Sequence, residues 1–171
     1  DLSGLSDGNL TVTASVTDAN GNPATASDAT SLLDTEATLS VSLDNVNATN
    51  VANAPITGTS DVGANRTVTL VISDNDPATA DVTVTAVTDS NGNYSTTADL
   101  SGLSDGNLTV TASVTDAAGN TANASDNTTL LDTDASITVS LDNVNSANVA
   151  NAPITGTSDV EAGRAASRDS G

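Results

Sequence analysis

Hydrophobic and polar residues alternate with a period of two along most of the chain, and no helical stripe persists beyond one turn. Within residues 66–73, for example, Val68, Leu70 and Ile72 occupy one side of a strand and the residues between them the other. The alternation predicts seven strands in one stretch of the chain, at residues 37–43, 55–60, 66–73, 81–88, 93–98, 107–116 and 123–131. In the sixth strand, the side chains predicted to face the core are Leu108, Val110, Ala112 and Val114.

Short segments rich in Asp, Asn and Gly separate these strands, as in DSNGN at 89–93 and DAAGN at 116–120. Such segments are typical of tight turns between neighbouring antiparallel strands. Seven short strands joined in this way within about 100 residues predict an all-β, immunoglobulin-like antiparallel β-sandwich.

The sequence contains a long internal repeat. Residues 1–19 recur letter for letter at 99–117, an offset of 98 residues, and residues 1–62 match 99–160 at 51 of 62 positions. We therefore predict the last strands of one repeat at 1–33, a complete repeat at 34–131, and the first strands of a third at 132–171. The match ends near residue 161, where a divergent tail begins. The two partial repeats lack enough strands to bury a sheet face, so we expect them either to be floppy or to pair across molecules.

The composition excludes several classes of function. The chain has no His or Cys, which excludes a thiol or imidazole nucleophile, a His general base and the common zinc sites. A net charge of −19, with only three basic residues, argues against nucleic-acid binding and against attraction to anionic lipids. No apolar run is long enough to span a membrane. The carboxylates lie on loops without aromatic sugar platforms, since Tyr94 is the only aromatic residue, and we predict that the protein is not an enzyme.

Asp greatly outnumbers Glu among the 22 acidic residues, and the acids concentrate in loops. Alternating strand directions place these loops at two ends of the sandwich. The first pole holds the incoming linker at 34–36 and the loops at 61–65, 89–93 and 116–120. The second pole holds the loops at 44–53, 74–80 and 99–105 and the outgoing linker at 132–134. Clustered carboxylates repel one another unless a cation neutralises them, and their oxygens are the ligands that Ca²⁺ prefers. We therefore predict Ca²⁺ at the junctions between repeats.

The main candidate calcium ligands lie in or behind the linkers: Asp34, Glu36, Asp116, Asn120, Asp132 and Asp134. Five further acids are second choices: Asp61, Asp74, Asp76, Asp89 and Asp105. A plain turn is the favoured interpretation for the Asp89 and Asp105 loops, because both contain turn dipeptides with Gly. For Asp74 and Asp76, metal binding and simple solvation are equally compatible with the sequence.

The segments LTVTASVTDAAGNTANAS (108–125), LLDTDASITVSLDNVN (130–145) and ANAPITGTSD (150–159) resemble the immunoglobulin-like extender repeats of giant bacterial adhesins, including repeats-in-toxin (RTX) and biofilm-associated adhesins. The resemblance implies β-sandwiches strung end to end, calcium at their junctions, and one-step (type I) export before folding outside the cell. By position, the turn ligands of that family fall on Asp116 and Asn120, with their earlier copies on Asp18 and Asn22. Its linker acids fall on Asp34 and Asp132.

Together these observations predict a structural spacer on the bacterial cell surface, stiffened by Ca²⁺ and contacting neighbouring repeats of the same polypeptide. The ligand of the complete adhesin is not predicted. Two alternatives remain. One is a glycan- or protein-binding module, which would need an exposed aromatic or a concave polar pocket. The other is a surface-layer or filament subunit, in which the partial repeats complement neighbouring chains.

Overall fold

The alternating segments form strands close to where the pattern predicts them. The computed structural model describes residues 1–160. Its strands between the two linkers are β3 (Ser42–Leu43), β4 (Val46–Asn47), β5 (Ala54–Thr59), β6 (Thr67–Ser73), β7 (Val82–Val87), β8 (Asn93–Ala98), β9 (Gly106–Asn107), β10 (Thr109–Thr115), β11 (Thr121–Asp126) and β12 (Leu130–Asp132). Before them lie β1 (Gly8–Thr17) and β2 (Pro23–Leu33), and after them β13 (Ser140–Leu141) and β14 (Ile154–Thr155). The described residues also include two single-turn 3-10 helices, at Val51–Asn53 and Val149–Asn151.

The central strands form an all-β sandwich of the predicted class. One sheet has the order β3-β5-β8 and the other the order β11-β10-β6-β7, and every pairing within these two sheets is antiparallel. A third, smaller sheet has the order β4-β12-β9, in which β4 and β12 run parallel. Because β7 pairs with β6 and not with β8, it extends the four-stranded sheet.

The core lies between the two sheets and follows the period-two pattern. Val68, Leu70 and Ile72 are completely buried, while Thr67 and Thr69 on the same strand are exposed. The core-facing residues predicted for the sixth strand are also buried: Leu108, Val110, Ala112 and Val114. Burying a side chain such as Val, Leu or Ile contributes roughly 1.5–3 kcal/mol relative to leaving it exposed, so these alternating residues are the main source of stability.

The structure divides three of the predicted strands. The predicted strand at 37–43 shortens to β3, preceded by an isolated bridge between Leu39 and Ser60, and the chain then crosses to the other side as β4. Both Leu43 and Val46 are buried although they are three positions apart, and two residues at an odd spacing point to opposite faces of one continuous strand. The predicted strands at 107–116 and 123–131 likewise become β9 with β10 and β11 with β12.

A close contact between Gly58 and Tyr94 joins β5 and β8 to the segment just before β3. The Tyr94 hydroxyl donates a hydrogen bond to the backbone carbonyl of Ser40, passing over Gly58 on β5. A Cβ atom at Gly58 would collide with both groups, so this position requires glycine. Tyr94 lies on the edge strand β8, but its side chain is only 3% exposed. Burial raises the pKa of its hydroxyl to about 12.

The partial repeats at the two ends form hairpins with exposed apolar side chains. β1 pairs with β2 over most of their lengths, and β13 pairs with β14. Val12 is 64% exposed and Leu141 is 56% exposed, whereas their equivalents in the central repeat, Val110 and Leu43, are buried. The predicted divergent tail at 161–171 lies outside the described residues. Among residues 1–160, the chain forms no helix of the length and hydropathy that a membrane span requires.

Candidate metal sites at the domain junctions

Asp116 anchors the turn at the first pole and connects it to the incoming linker. Its carboxylate accepts hydrogen bonds from the backbone N–H groups of Gly119 (2.7 Å) and Asn120 (2.8 Å) and from the Asn120 side-chain amide (2.8 Å). The same amide donates to the backbone carbonyl of Asp34 at 3.0 Å. Asn120 therefore holds the linker against the β10–β11 turn.

The environment of Asp116 favours its ionised form. The residue is only 6% exposed, and desolvation by itself raises the pKa of its carboxyl. The hydrogen bonds from Asn120 and Gly119 outweigh this effect and bring the pKa below its ordinary value. A nearly buried carboxylate is thus kept charged beside the linker.

Asp61 lies at the same pole and contacts the beginning of the repeat. Its carboxylate accepts a hydrogen bond from the backbone N–H of Thr38 at 2.7 Å, and this bond lowers the pKa of Asp61. The negative charge of Asp116 acts in the opposite direction and raises that pKa slightly. The two carboxylates are therefore close enough to interact, and the fold brings together two acids that are 55 positions apart in the sequence.

The linker acids occupy more open positions. Asp34 contributes its backbone carbonyl to the contact with Asn120, and Glu36 is exposed. In the outgoing linker Asp132 and Asp134 are both exposed, and the backbone N–H of Asp134 donates to the Asp132 carboxylate at 3.4 Å.

Loops of the second pole are joined in a similar way. Asp105 accepts hydrogen bonds from the backbone N–H and the hydroxyl of Thr133, at 3.1 and 3.0 Å. It thereby attaches the outgoing linker and is more than a turn residue. The equivalent acid of the preceding repeat, Asp7, accepts the same pair of bonds from Thr35 at 3.0 Å each.

The neighbouring acids Asp74 and Asp76 serve the loops around them. Asp74 accepts from the backbone N–H of Ser104 at 2.8 Å and from that of Asp76 at 3.0 Å. Asp76 accepts from the backbone N–H of Ala78 at 2.9 Å. Asp74 thus connects two loops of the second pole.

Two other candidates are turn acids. Asp89 accepts from the backbone N–H groups of Asn91 (2.8 Å) and Asn93 (2.9 Å), which is the plain-turn geometry that the sequence favours. Asp18 accepts from Asn20 and Asn22 in an exposed copy of the Asp116 turn. Hydrogen bonds from Asn93 and from Asn22, respectively, lower the pKa of each Asp.

The structure does not gather three or more acidic side chains into one metal-holding group anywhere in residues 1–160. At the first pole the fold places the carboxylates of Asp61 and Asp116 within interacting distance, and Asn120 holds the carbonyl of Asp34 beside Asp116. These are oxygen donors of the kind that Ca²⁺ takes, although the ion takes six to eight of them, so carbonyls and water would have to complete such a site.

Sequence reasoning missed one acid that connects the two sheets. Asp126 accepts from the backbone N–H of Leu43 at 3.1 Å and from the backbone N–H and hydroxyl of Thr128. These hydrogen bonds lower the pKa of Asp126, and the bonds from Thr128 have the largest effect. The sequence feature that could have indicated Asp126 is an Asp-x-Thr motif. The motif recurs at Asp28, where Thr30 makes the same local hydrogen bonds.

Apart from the loops, the surface depressions offer little for a small ligand. One open depression lies on the outer face of the four-stranded sheet and is lined by short uncharged residues, including Thr69, Thr111 and Asn123. Another lies beside Tyr94, but that ring is turned into the core. The chain's single aromatic residue therefore presents no stacking surface.

The fold and the sequence place the chain in a known family. Residues 37–133 match the family model described as a bacterial Ig-like domain, and the chain belongs to this family. No curated protein matches the chain at a significant level.

Among solved structures, the chain is similar to a tetra-tandem repeat in the extending region of a large adhesion protein. The two share 38% sequence identity, with a TM-score of 0.53 over 92% of this chain. A second similar structure belongs to a 1.5-MDa bacterial ice-binding adhesin, with 28% identity, a TM-score of 0.41 and 72% of this chain covered. The chain spans 40% and 42% of those two solved chains.

Proposed function

We propose that the chain is a segment of the extending region of a large bacterial surface adhesin, where tandem Ig-like repeats act as a spacer outside the cell. The observation that carries this proposal is its similarity to the tetra-tandem repeat of an extending region, at 38% identity over 92% of the chain. The 98-residue internal repeat supports the same role. Ig-like repeats of this kind are typically not enzymes. Export by type I secretion and a contribution to biofilm formation belong to the same proposal.

A spacer must transmit orientation from one repeat to the next, and the linker contacts support this. Thr35 is bonded to Asp7 of the preceding repeat, while Asp34 is bonded to Asn120 of the following one. Two successive linker residues are thus attached to opposite neighbours. The bond between Asp105 and Thr133 repeats the first of these contacts at the next junction. We therefore propose that repeats in this chain hold a defined angle to one another.

We further propose that Ca²⁺ binds at the first pole, held by the carboxylates of Asp61 and Asp116 with the carbonyl of Asp34. Bound calcium would supply positive charge where two carboxylates already repel each other. It would bind the native state alone, because the unfolded chain does not bring residues 34, 61 and 116 together. At a concentration one hundred times the dissociation constant, such binding stabilises the native state by about 2.7 kcal/mol.

The calcium proposal is tested by thermal unfolding of the full chain in calcium, in chelator, and in magnesium at matched ionic strength. The expected midpoint rise is about 10–20 °C in calcium only, from the usual 4–8 °C per kcal/mol for a domain of this size. Asp116→Asn and Asp61→Asn should abolish most of that rise. Asp81→Asn removes one charge from an exposed residue and should retain it. Equal midpoints in calcium and chelator would limit these acids to their hydrogen-bonding roles.

The spacer proposal is tested separately, by small-angle scattering of the full chain. A compact globular protein of this length has a radius of gyration of roughly 16 Å. An extended array should give a clearly larger radius together with the skewed distance distribution of a stiff rod, which peaks at short distances and has a long tail. A radius near the compact value would contradict the spacer proposal, whatever calcium does to the melting temperature.

A further inference from the structure

The sequence contains two Asn-Gly dipeptides, at residues 20–21 and 91–92, and each lies in a turn between two strands. The peptide nitrogen that follows an Asn can attack the Asn side chain, and glycine hinders this nitrogen least because it has no Cβ atom. The dipeptide at 91–92 belongs to the complete central repeat, in which both sheets of the sandwich are formed. It is therefore the one whose surroundings the fold defines.

The turn at 89–93 requires the glycine of this dipeptide. Gly92 has a φ of 80°, and a Cβ atom there would collide with the backbone carbonyl of Ser60. The carbonyl of Gly92 also accepts a hydrogen bond from the backbone N–H of Ser60 at 2.8 Å. The preceding position is less restricted, because the equivalent turn at 116–120 has Ala118 there. The turn thus needs the glycine but does not need Asn91.

The geometry leaves Asn91 able to react. Its side chain is exposed, so the amide is free to rotate toward the main chain. The attacking atom is the backbone nitrogen of Gly92, whose N–H donates to the carbonyl of Asp89 at 3.2 Å. The other three hydrogen bonds that backbone N–H groups donate within this turn measure 2.8 to 2.9 Å. The bond that must open for the reaction is therefore the longest of the four.

We propose that Asn91 is a site of spontaneous deamidation through a succinimide formed with Gly92. The Gly92 nitrogen bonds to Cγ of Asn91, the Cγ–Nδ2 bond breaks, and the amide nitrogen leaves as ammonia with the proton of the Gly92 N–H. Water then opens the five-membered ring. Addition at Cγ gives Asp, and addition at the main-chain carbonyl gives isoaspartate, in which the chain continues through the side chain. The reaction consumes one water and releases one ammonia, and it does not depend on the adhesin role or on calcium.

The two products affect the fold differently. Both add a carboxylate to the first pole, two residues after Asp89. Isoaspartate also inserts one carbon atom into the main chain between residues 91 and 92. This insertion lengthens the segment that the Asp89 carboxylate holds by its hydrogen bonds, and it displaces Gly92 from Ser60. Because Ser60 directly precedes Asp61, formation of isoaspartate loosens the contact between the 89–93 turn and the loop that carries Asp61.

The test uses the full chain, incubated in mildly alkaline buffer and then cut with trypsin. Cleavage after Arg66 separates the two dipeptides, so mass spectrometry assigns the mass gain of an amide-to-acid conversion to one fragment or the other. Methylation by an isoaspartyl methyltransferase identifies isoaspartate in each fragment. Asn91→Ala is the matched variant, because Ala118 occupies the same place in the equivalent turn. A parallel incubation in denaturant gives the rate for the unfolded chain.

The fragment that begins at residue 67 should gain the mass and become methylated, and Asn91→Ala should abolish both changes. The rate in the native chain should be roughly 2–10-fold below the rate in denaturant, as expected for opening one backbone hydrogen bond. A fragment that stays unmodified in the native chain while it reacts in the unfolded chain overturns the proposal. A mass gain that persists in Asn91→Ala also overturns it, because another Asn must then be the site.

A second measurement tests the structural effect of isoaspartate. Chains that contain isoaspartate at position 91 are purified after incubation and compared with Asn91→Asp, which adds the same charge without the extra carbon atom. The isoaspartate form should melt roughly 4–8 °C below Asn91→Asp, the shift expected for the loss of about one hydrogen bond. Equal midpoints would overturn the proposed loosening of the turn.

Discussion

The exact repeat within the chain permits an internal comparison of the same substitution in two environments. Val12 and Val110 lie in identical 19-residue segments, and each pairs with an Asp on the neighbouring strand, Asp28 and Asp126 respectively. Val110 is fully buried, whereas Val12 is 64% exposed. We predict that Val110→Ala destabilises the central sandwich and that Val12→Ala has little effect.

The magnitude follows from the burial of the two side chains. Replacing a buried Val by Ala removes two methyl-sized groups, which costs about 1.6 kcal/mol of transfer free energy. The cavity of about 50 Å³ left behind costs about 1 kcal/mol more. The total of about 2.6 kcal/mol corresponds to a fall in melting temperature of roughly 10–20 °C for a domain of this size. An exposed substitution should stay within about 0.5 kcal/mol.

Tyr94 provides a specific assay for this comparison. It is the only aromatic residue and is buried in the central repeat, so its fluorescence reports on that repeat and not on the hairpins. The measurement is denaturant unfolding at low protein concentration, where molecules are separate. Any intrinsic cost of Ala in a strand is similar in both variants and cancels in their difference. Equal destabilisation by the two substitutions would refute the argument that burial in the completed sandwich, and not local sequence, determines stability.

Two further predictions concern single contacts. Gly58→Ala should strongly destabilise the sandwich, because the added Cβ would collide with the carbonyl of Ser40 and the side chain of Tyr94. Gly102 has open space around it, so Gly102→Ala is the control and should be nearly neutral. Similar melting temperatures for the two variants would contradict this prediction. The folded-state pKa of Asp126 lies below its ordinary value of 3.8, so its stabilising effect is present above that value and is lost as the pH falls through the lowered pKa. The free energy of unfolding should accordingly decrease from about pH 5 to about pH 3, and less steeply in Asp126→Ala than in the unmodified chain. A chain that becomes more stable on acidification would show that relief of the general charge repulsion is the larger effect.

The candidate site was predictable only in part. Sequence alternation was sufficient to assign Asp61 and Asp116 to the same pole, because strand directions sort the loops. The contacts of individual acids were not predictable, since they depend on loop geometry within a few tenths of an ångström. For Asp105 the sequence favours a turn, and it does not reveal that the carboxylate also accepts hydrogen bonds from Thr133 of the linker, 28 residues away.

The sequence alone determined the approximate positions of the strands, their inward and outward faces, the class of fold and the 98-residue repeat, because each depends on local periodicity or on direct identity between segments. The tertiary structure determined where the chain leaves the β3-β5-β8 sheet to pair with β12 as β4, and that β7 extends the four-stranded sheet. It also decided that Val110 is buried while Val12, in the same local sequence, is exposed. Burial depends on whether another sheet covers a face, and in the central repeat that sheet is supplied by residues distant in the chain.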